Sequence, residues 1–317
     1  MSQKEIAVLG GGRFAQAILR LLSARGLPLS TWVRRDAARR ELRRTFPKVS
    51  FPETVADACA SADIVIFAVP AGALREVASQ LGDVARGDQI AVHACRGVDE
   101  GFVLPHEVVK SETCIKQIVA LGGPLHIREL AEGRPIVAVA ASPFDDAVEV
   151  IRQTTQGTPV RVHGTRDLIG VEVAGAIANV AILAAGLSDA LELGDTARGI
   201  LLTRGLIEAI RVGVALGADD ATFRGLAGVG ELIPRRVGST ERHQAVAAAL
   251  ARGEELEAAL AQVDGSVEGV DTAAEAVLLA ERLDLDLPLI QAVDMILHGE
   301  SDPRATLEEV LQLDLDL

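Results

Sequence analysis

Three groups of residues in this chain have types and spacing suited to chemistry. The first, Gly10-Gly11-Gly12-Arg13-Phe14-Ala15, is a GxGxxA run between an apolar stretch at 5–10 and a helically spaced one at 13–23. In such a run Gly10 permits a tight turn, and Gly12 lets the backbone approach a pyrophosphate. Ala15 keeps the helix close to its sheet, and the helix start offers free N–H donors. The spacing predicts dinucleotide binding through Gly10, Gly12, Arg13, Phe14 and Ala15; the bland alternative is a glycine-rich turn that holds nothing. The second group, Arg34-Arg35-Asp36, follows the next apolar stretch. An acid here suits the ribose hydroxyl of NAD, and an arginine suits the 2′-phosphate of NADP. Arg34 comes first and favours NADP. Against that, Arg39, Arg40, Arg43 and Arg44 recur at helical spacing, so the run also reads as a solvated basic face.

The third group centres on Asn179, in the middle of residues 170–187 (GVEVAGAIANVAILAAGL). A helix apolar all round is buried in a core or in a membrane. This stretch falls short of the roughly 20 apolar residues of a span and contains Glu172, so it predicts the central helix of a soluble domain. A buried amide left unpaired costs about 1–3 kcal/mol. Asn179 therefore either faces a ligand or bonds the backbone of a neighbouring element.

The elements that must position these groups alternate at first. Apolar strands are expected at 5–10, 29–33, 62–70, 89–94, 119–121, 136–141 and 160–163, with helical stretches between them. That pattern predicts an α/β fold: an N-terminal Rossmann domain over 1–165 with a doubly wound parallel sheet. Pro70, Arg96 and Pro124 then fall just past the carboxyl ends of strands, where ligands of such sheets lie. From about residue 165 only helical patterns follow, at 170–187, 196–216, 241–252, 270–283 and 288–297, with a glycine-punctuated loop at 217–231. They predict an all-α second domain over 166–317, ending in an acidic, loose LDLDL.

The totals narrow the function. With 317 residues, 49% hydrophobic and 24% charged, the chain can build a sizeable core. A net charge of −14 makes a nucleic-acid partner improbable on electrostatic grounds. The three cysteines, Cys59, Cys95 and Cys114, lack a CxxC pair, and the six histidines lack ligand spacing, so neither a disulfide frame nor a metal site is expected. No signal sequence precedes the first strand, and a soluble cytoplasmic protein is the expectation.

The chain resembles bacterial NAD(P)-dependent glycerol-3-phosphate dehydrogenases over nearly its full length. The resemblance is carried by GGGRFA, ADIVIFAVP, ALREV, ACRGV and GGP with Glu129, and above all by GVEVAGAIANVAILAAGL. It continues through LLTRGLIEAIRVGVALGA, TFRGLAGVGEL, Glu268-Gly269, Thr272 and Leu287-Pro288. It implies a Rossmann domain joined to a helical substrate domain, NAD or NADP as cofactor, and Pro70 and Glu268 among the cofactor contacts. It also implies hydride transfer between the nicotinamide and dihydroxyacetone phosphate or glycerol 3-phosphate, in a homodimer.

The match fails where the family does its chemistry. The lysine of the family's GALKNV is Ala178 here, although the asparagine beside it is kept as Asn179. A second lysine, in a TKG loop, is Arg96. The aspartate of GLAGxGD is Glu231, and a threonine four residues on is Arg235. Of SRN only the arginine survives, in Glu241-Arg242-His243. GPSF reads Gly123-Pro124-Leu125-His126, and NxK reads Thr196-Ala197-Arg198. Lysine occurs only at 4, 48, 110 and 116, so most exchanges to arginine preserve charge; Ala178 preserves nothing.

Losing a positioned acid–base group typically costs roughly 10²–10⁴ in rate. The groups that could stand in are His126, His243 and Glu231; the alternatives are packing for the histidines and pairing with Arg235 or Arg242 for Glu231. Arg242 is the candidate clamp for an anionic substrate, Arg96 a second positive group, and Arg204 a structural partner for Glu208 at i+4. The expected function is a glycerol-3-phosphate dehydrogenase-like oxidoreductase acting on a small anionic substrate, with altered or weakened activity. The alternatives are a non-catalytic NAD(P)-binding sensor or partner protein, and a changed chemistry such as imine reduction.

Overall fold

The computed structural model describes residues 4–314 apart from 234–240, so Arg235 lies outside the described residues. The chain forms two compact units: Met1–Cys95 with Leu104–Leu168, and Arg96–Val103 with Ile169–Leu317. The short 96–103 segment thus packs with the helical unit although it directly follows a strand of the other.

The first unit begins β1 (Ile6–Leu9), α1 (Arg13–Ser23), β2 (Leu29–Trp32), α2 (Asp36–Thr45), α3 (Val55–Cys59) and β3 (Ile64–Phe67). It continues α4 (Leu74–Gly82), β4 (Ile90–His93), α5 (Pro105–Glu112), β5 (Gln117–Gly122), α6 (Ile127–Ala131), β6 (Ile136–Ala141), α7 (Asp145–Thr155) and β7 (Val160–Thr165). The seven strands make one sheet in the order β2-β1-β3-β4-β5-β6-β7. Every residue of β1, β3 and β4 is buried, as in a parallel sheet covered on both faces. The doubly wound sheet is as expected, and it is parallel except at one pair, where β5 and β6 run antiparallel. Only the five-residue α6 lies between them, too short a helix for the usual parallel crossover.

The second unit holds α8 (Leu168–Ala190), α9 (Asp195–Ala215), α10 (Asp220–Arg224), α11 (Val229–Leu232) and α12 (Glu241–Ala251). After these come α13 (Leu256–Ala261), α14 (Glu268–Leu283), α15 (Pro288–Leu297) and α16 (Pro303–Gln312). Residues 217–231, expected as loop, contain α10 and most of α11: Asp219 caps the former by accepting from the Ala221 N–H. α8 is also longer than expected, 23 residues with a mean hydropathy of 2.0 over its most apolar window. Length alone would let it cross a membrane. Burial decides otherwise, since 83% of that window is inside the protein, and α8 is a core helix.

Small residues let the neighbours of α8 approach it closely. A side chain on Gly269 of α14 would stand 2.8 Å from the Asn179 carbonyl oxygen and 2.9 Å from Leu183. Gly205 of α9 rests on Ala181, and Gly186 of α8 lies against Ala247 of α12. The α14 backbone therefore lies directly against that of Asn179.

Candidate functional site

The glycine run sits at the point where the sheet changes direction. From β1 the chain moves to β2 on one side and then to β3 on the other, opening a crevice at the carboxyl ends of β1 and β3. Gly10 has φ +135 and lies against the Ala68 carbonyl oxygen, so a side chain there would meet backbone. Gly12 caps α1, and the space beside its Cα is open. The N–H groups of Arg13, Phe14 and Ala15 have no intrahelical acceptor, and no acid lies in the first turn. The arrangement suits a diphosphate, being positive by its dipole and free of a blocking Cβ. Arg13 is exposed at the helix start, Ala15 is fully buried, and Pro70 is exposed just beyond β3. Phe14 is half-buried and packs against the core of the sheet unit, which leaves its N–H in the first turn of α1.

Past β2, Arg34, Arg35 and Asp36 are all exposed. Asp36 opens α2 and is held by Arg39 at 2.7 Å, whereas Arg34 reaches only Glu76, at 3.7 Å.

In the helical unit the structure joins four of the expected residues: Asn179, Arg96, Glu231 and Glu268. Asn179, 3% exposed, donates from Nδ2 to the Arg96 carbonyl oxygen at 2.7 Å. The Arg96 guanidinium forms an ion pair with Glu231, which is 1% exposed. Burial pushes Arg96 down to about 10, and the Glu268 carboxylate opposes that shift. At neutral pH the guanidinium stays charged in all but roughly one molecule in a thousand, so it offers charge and not a proton. Glu268 is the first residue of α14, and the helix starts two residues earlier than its apolar pattern suggests.

Ala178 faces a different neighbourhood from Asn179. It is 4% exposed and packs with Ala181, Ile182 and Leu232, closed by Leu202 and Leu206. Beside this cluster lies a cavity of about 490 Å³, lined by Asp195, Arg198, Leu202, Leu206, Val229 and Leu232 among others.

Two further candidates are on α12 and one is in the sheet unit. Arg242 is exposed and donates to the Ser266 carbonyl oxygen at 2.6 Å. His243 is buried, its two ring nitrogens have no hydrogen-bond partner among the described residues, and burial with help from Arg242 pushes it down to about 4. A proton is therefore not held there at neutral pH, contrary to the expectation of a neutral-range acid. The His243 backbone lies near Gly186, seven residues and about 10 Å along α8 from Asn179. His126 caps α6 in the sheet unit and is half-buried.

Arg198 is buried in an ion pair with Asp189. Arg204 does not bridge to Glu208 as the i+4 spacing suggests. It donates to the carbonyls of Leu313 and Asp314, while Glu208 accepts from the Leu289 and Ile290 N–H groups at the start of α15. The spacing missed this because Glu208 and α15 are 80 residues apart. A buried carboxylate gains two charge-assisted bonds from a helix N-terminus, more than one arginine on its own helix would give.

Comparison with known proteins completes the picture. Residues 5–148 match the family profile described as NAD-dependent glycerol-3-phosphate dehydrogenase N-terminus, and residues 167–308 match the profile of the same enzyme's C-terminus. The glycerol-3-phosphate dehydrogenase (NAD(P)+) of Thermus thermophilus is 37% identical, over 96% of this chain and 97% of its own. That of Neisseria meningitidis serogroup B is 34% identical over 97% and 98%. The crystal structure of glycerol-3-phosphate dehydrogenase from Coxiella burnetii superposes with a TM-score of 0.91 at 26% identity, covering 98% of this chain and 99% of that one. With such identity sustained over nearly its whole length, and both halves matched in order, the chain belongs to the NAD(P)-dependent glycerol-3-phosphate dehydrogenase family of oxidoreductases.

Proposed function

We propose that this protein interconverts a small phosphorylated carbonyl compound and its alcohol, of the dihydroxyacetone phosphate and glycerol 3-phosphate kind, at a rate limited by the lack of an ionisable group at position 178. The observation that carries the reading is the buried cluster of Arg96, Glu231 and Asn179 on α8. Gly10, Gly12 and the first turn of α1 would hold the cofactor's diphosphate, and the bound nicotinamide supplies or accepts the hydride. An amide nitrogen carries two protons, and Asn179 commits one to Arg96. The other can donate to a substrate carbonyl, and Oδ1 can accept from the corresponding hydroxyl. Arg96 brings a buried positive charge, and a guanidinium suits the planar oxygens of an anionic group. Reduction also needs a proton on the oxygen. At neutral pH Arg96 keeps its proton and His243 is a neutral imidazole whose remaining N–H is far too weak an acid, so water is the donor and the step is slow.

The test is oxidation of NADPH or NADH with dihydroxyacetone phosphate, followed by absorbance. Slow turnover is expected, with KM raised about 10–100-fold in Arg96→Ala, the size of a lost charged hydrogen bond. The apolar surroundings of Ala178 favour the second reading, a nucleotide binder without turnover. Tight cofactor binding with no oxidation by any small phosphorylated, hydroxy-acid or amino-acid substrate would establish that reading and defeat the first.

The same reading extends to cofactor choice. Asp36 is occupied by Arg39 and Arg34 is nearly free of ion pairing, which favours the 2′-phosphate of NADP over the bare ribose of NAD. Arg34→Ala is expected to raise the NADPH KM about tenfold or more, with the NADH KM within about threefold. Equal effects on the two cofactors would show that Arg34 only solvates its helix end.

A further inference from the structure

We propose that Glu275 is a positioning residue that sets Arg96 for anion binding by holding the far end of the 96–103 segment against α14. This rests on the reading of Arg96 as an anion-binding group. Glu268, Glu275 and Arg282 are spaced seven residues apart on α14, so they lie along nearly the same side of it. All three act on the one segment. The Glu268 carboxylate acts on the Arg96 guanidinium at one end. Two turns along, Glu275 Oε2 accepts from the N–H groups of Gly101 at 2.7 Å and Phe102 at 3.2 Å. Two turns further, Arg282 donates to the Gly101 carbonyl oxygen at 3.2 Å.

The backbone between these anchors depends on them. Gly101 and Phe102 have φ +79 and +59, and a phenylalanine adopts that conformation only where its surroundings hold it. The N–H groups of both residues converge on one oxygen, and Glu275 supplies it. Asp99 and Val103 exchange backbone hydrogen bonds at 2.9 and 3.1 Å, closing the turn. The Arg96 end is tied separately, through its carbonyl, to Asn179. The segment is thus fixed at both ends to two helices of one unit. Loss of the Glu275 oxygen leaves that end held to α14 by the longer Arg282 bond alone, and the Arg96 end inherits the slack.

Glu275 touches neither Arg96 nor the Asn179 amide in any hydrogen bond among the described residues, so its effect must pass through the backbone. The experiment compares full-length wild type with Glu275→Ala, Glu275→Gln, Arg96→Ala and the Arg96→Ala/Glu275→Ala double variant. Dihydroxyacetone phosphate is titrated calorimetrically in saturating NADP+, a pair that cannot react, and hydrogen exchange is read on peptides covering 96–103. Glu275→Ala should weaken dihydroxyacetone phosphate about tenfold and speed exchange in 96–103 by a similar factor, with NADP+ affinity unchanged. Glu275→Gln keeps an acceptor oxygen and should stay within about threefold of wild type. The double variant should bind no worse than Arg96→Ala alone, because one residue acts through the other.

Unchanged affinity or unchanged exchange in Glu275→Ala overturns the proposal, as does an additive loss in the double variant. Arg96→Ala separates the two ideas. If it binds like wild type, the anion-site reading fails; a weakening in Glu275→Ala alongside it would then show a route other than Arg96 and overturn the positioning role as well. Should Glu275→Ala not fold, Arg282→Gln loosens the same turn from its carbonyl side and carries the same expectations at about threefold.

Discussion

Ala178→Lys is expected to raise the rate of dihydroxyacetone phosphate reduction about 10²-fold or more, which corresponds to roughly 3 kcal/mol of barrier. The substitution is feasible because of what surrounds Ala178. Its neighbours Leu202, Leu206 and Leu232 offer an apolar wall for a four-carbon stem, and the cavity beside them, about 490 Å³, has room for it. Glu231, the residue before Leu232, is buried close to that wall and supplies the carboxylate that an ammonium there would need. The apolar surroundings would also lower the new group's pKa, which is what makes a lysine useful for proton transfer near neutral pH. A cost follows from the same burial, about 1–3 kcal/mol of stability, since the charge leaves water and competes with Arg96 for Glu231. Ala178→Met controls for the stem: it fills similar volume without a proton and should leave the rate at the wild-type level. Steady-state kinetics on the three proteins, with cofactor affinity measured alongside, decides the matter. A folded lysine variant that binds cofactor normally but is no faster would mean that Glu231 and Arg96 serve another substrate, and the proposed reaction would fall.

The contrast between Ala178 and Asn179 shows how much of this could be read in the amino-acid order. The buried strands announce themselves, because residues such as Ile64–Phe67 are covered on both faces and leave an unbroken apolar run. α8 does so for the same reason, and only its ends were unclear, since burial on every face erases the amphipathic edge that marks a boundary. The glycine turn was legible because one motif contains the whole device. Pairings that span long separations were not. Arg96 and Glu231 meet across 134 intervening residues; Arg96 was marked by its place past a strand end and Glu231 by family resemblance, and neither pointed to the other. The reversal between β5 and β6 was hidden because a strand's direction leaves no mark in its composition. Carboxylates that bind backbone were the hardest to place. Glu208 and Glu275 look like ordinary surface acids at helical spacing, yet both bind backbone N–H groups of distant segments. Backbone carries no residue identity, so no spacing rule points to it.

Two buried titratable groups in the helical unit should give its stability an acid profile that is flat only because they oppose each other. Burial pushes Glu208 up to about 7 from an ordinary 4.5, although the Leu289 and Ile290 N–H groups, Arg204 and Arg211 all favour its charged form. A carboxyl raised in the folded state holds a proton that the unfolded chain has released. Its stabilisation is full below pH 4.5 and is lost as pH rises to 7, about 3 kcal/mol in all. His243 has the opposite sign. Burial, with Arg242 nearby, pushes it down to about 4 from 6.5, so the unfolded chain binds the proton first. Its contribution is full above pH 6.5 and is lost as pH falls to 4, again about 3 kcal/mol. Between pH 4.5 and 6.5 the two slopes run against each other and nearly cancel. Removing either group should therefore expose the other. His243→Leu is expected to make the unit less stable as pH rises across that window, and Glu208→Gln to make it less stable as pH falls. Urea unfolding at half-unit steps from pH 4.5 to 7 would show this as difference curves of opposite slope, each approaching about 1.4 kcal/mol per pH unit. The slope is the quantity to read, because each substitution also shifts stability uniformly: Glu208→Gln sets an amide against an N–H at the start of α15, while His243→Leu removes a buried ring with no hydrogen-bond partner among the described residues. Parallel curves for wild type and both variants would mean that water reaches these two side chains in solution, and that neither is buried as tightly as the packing around α9 and α12 requires.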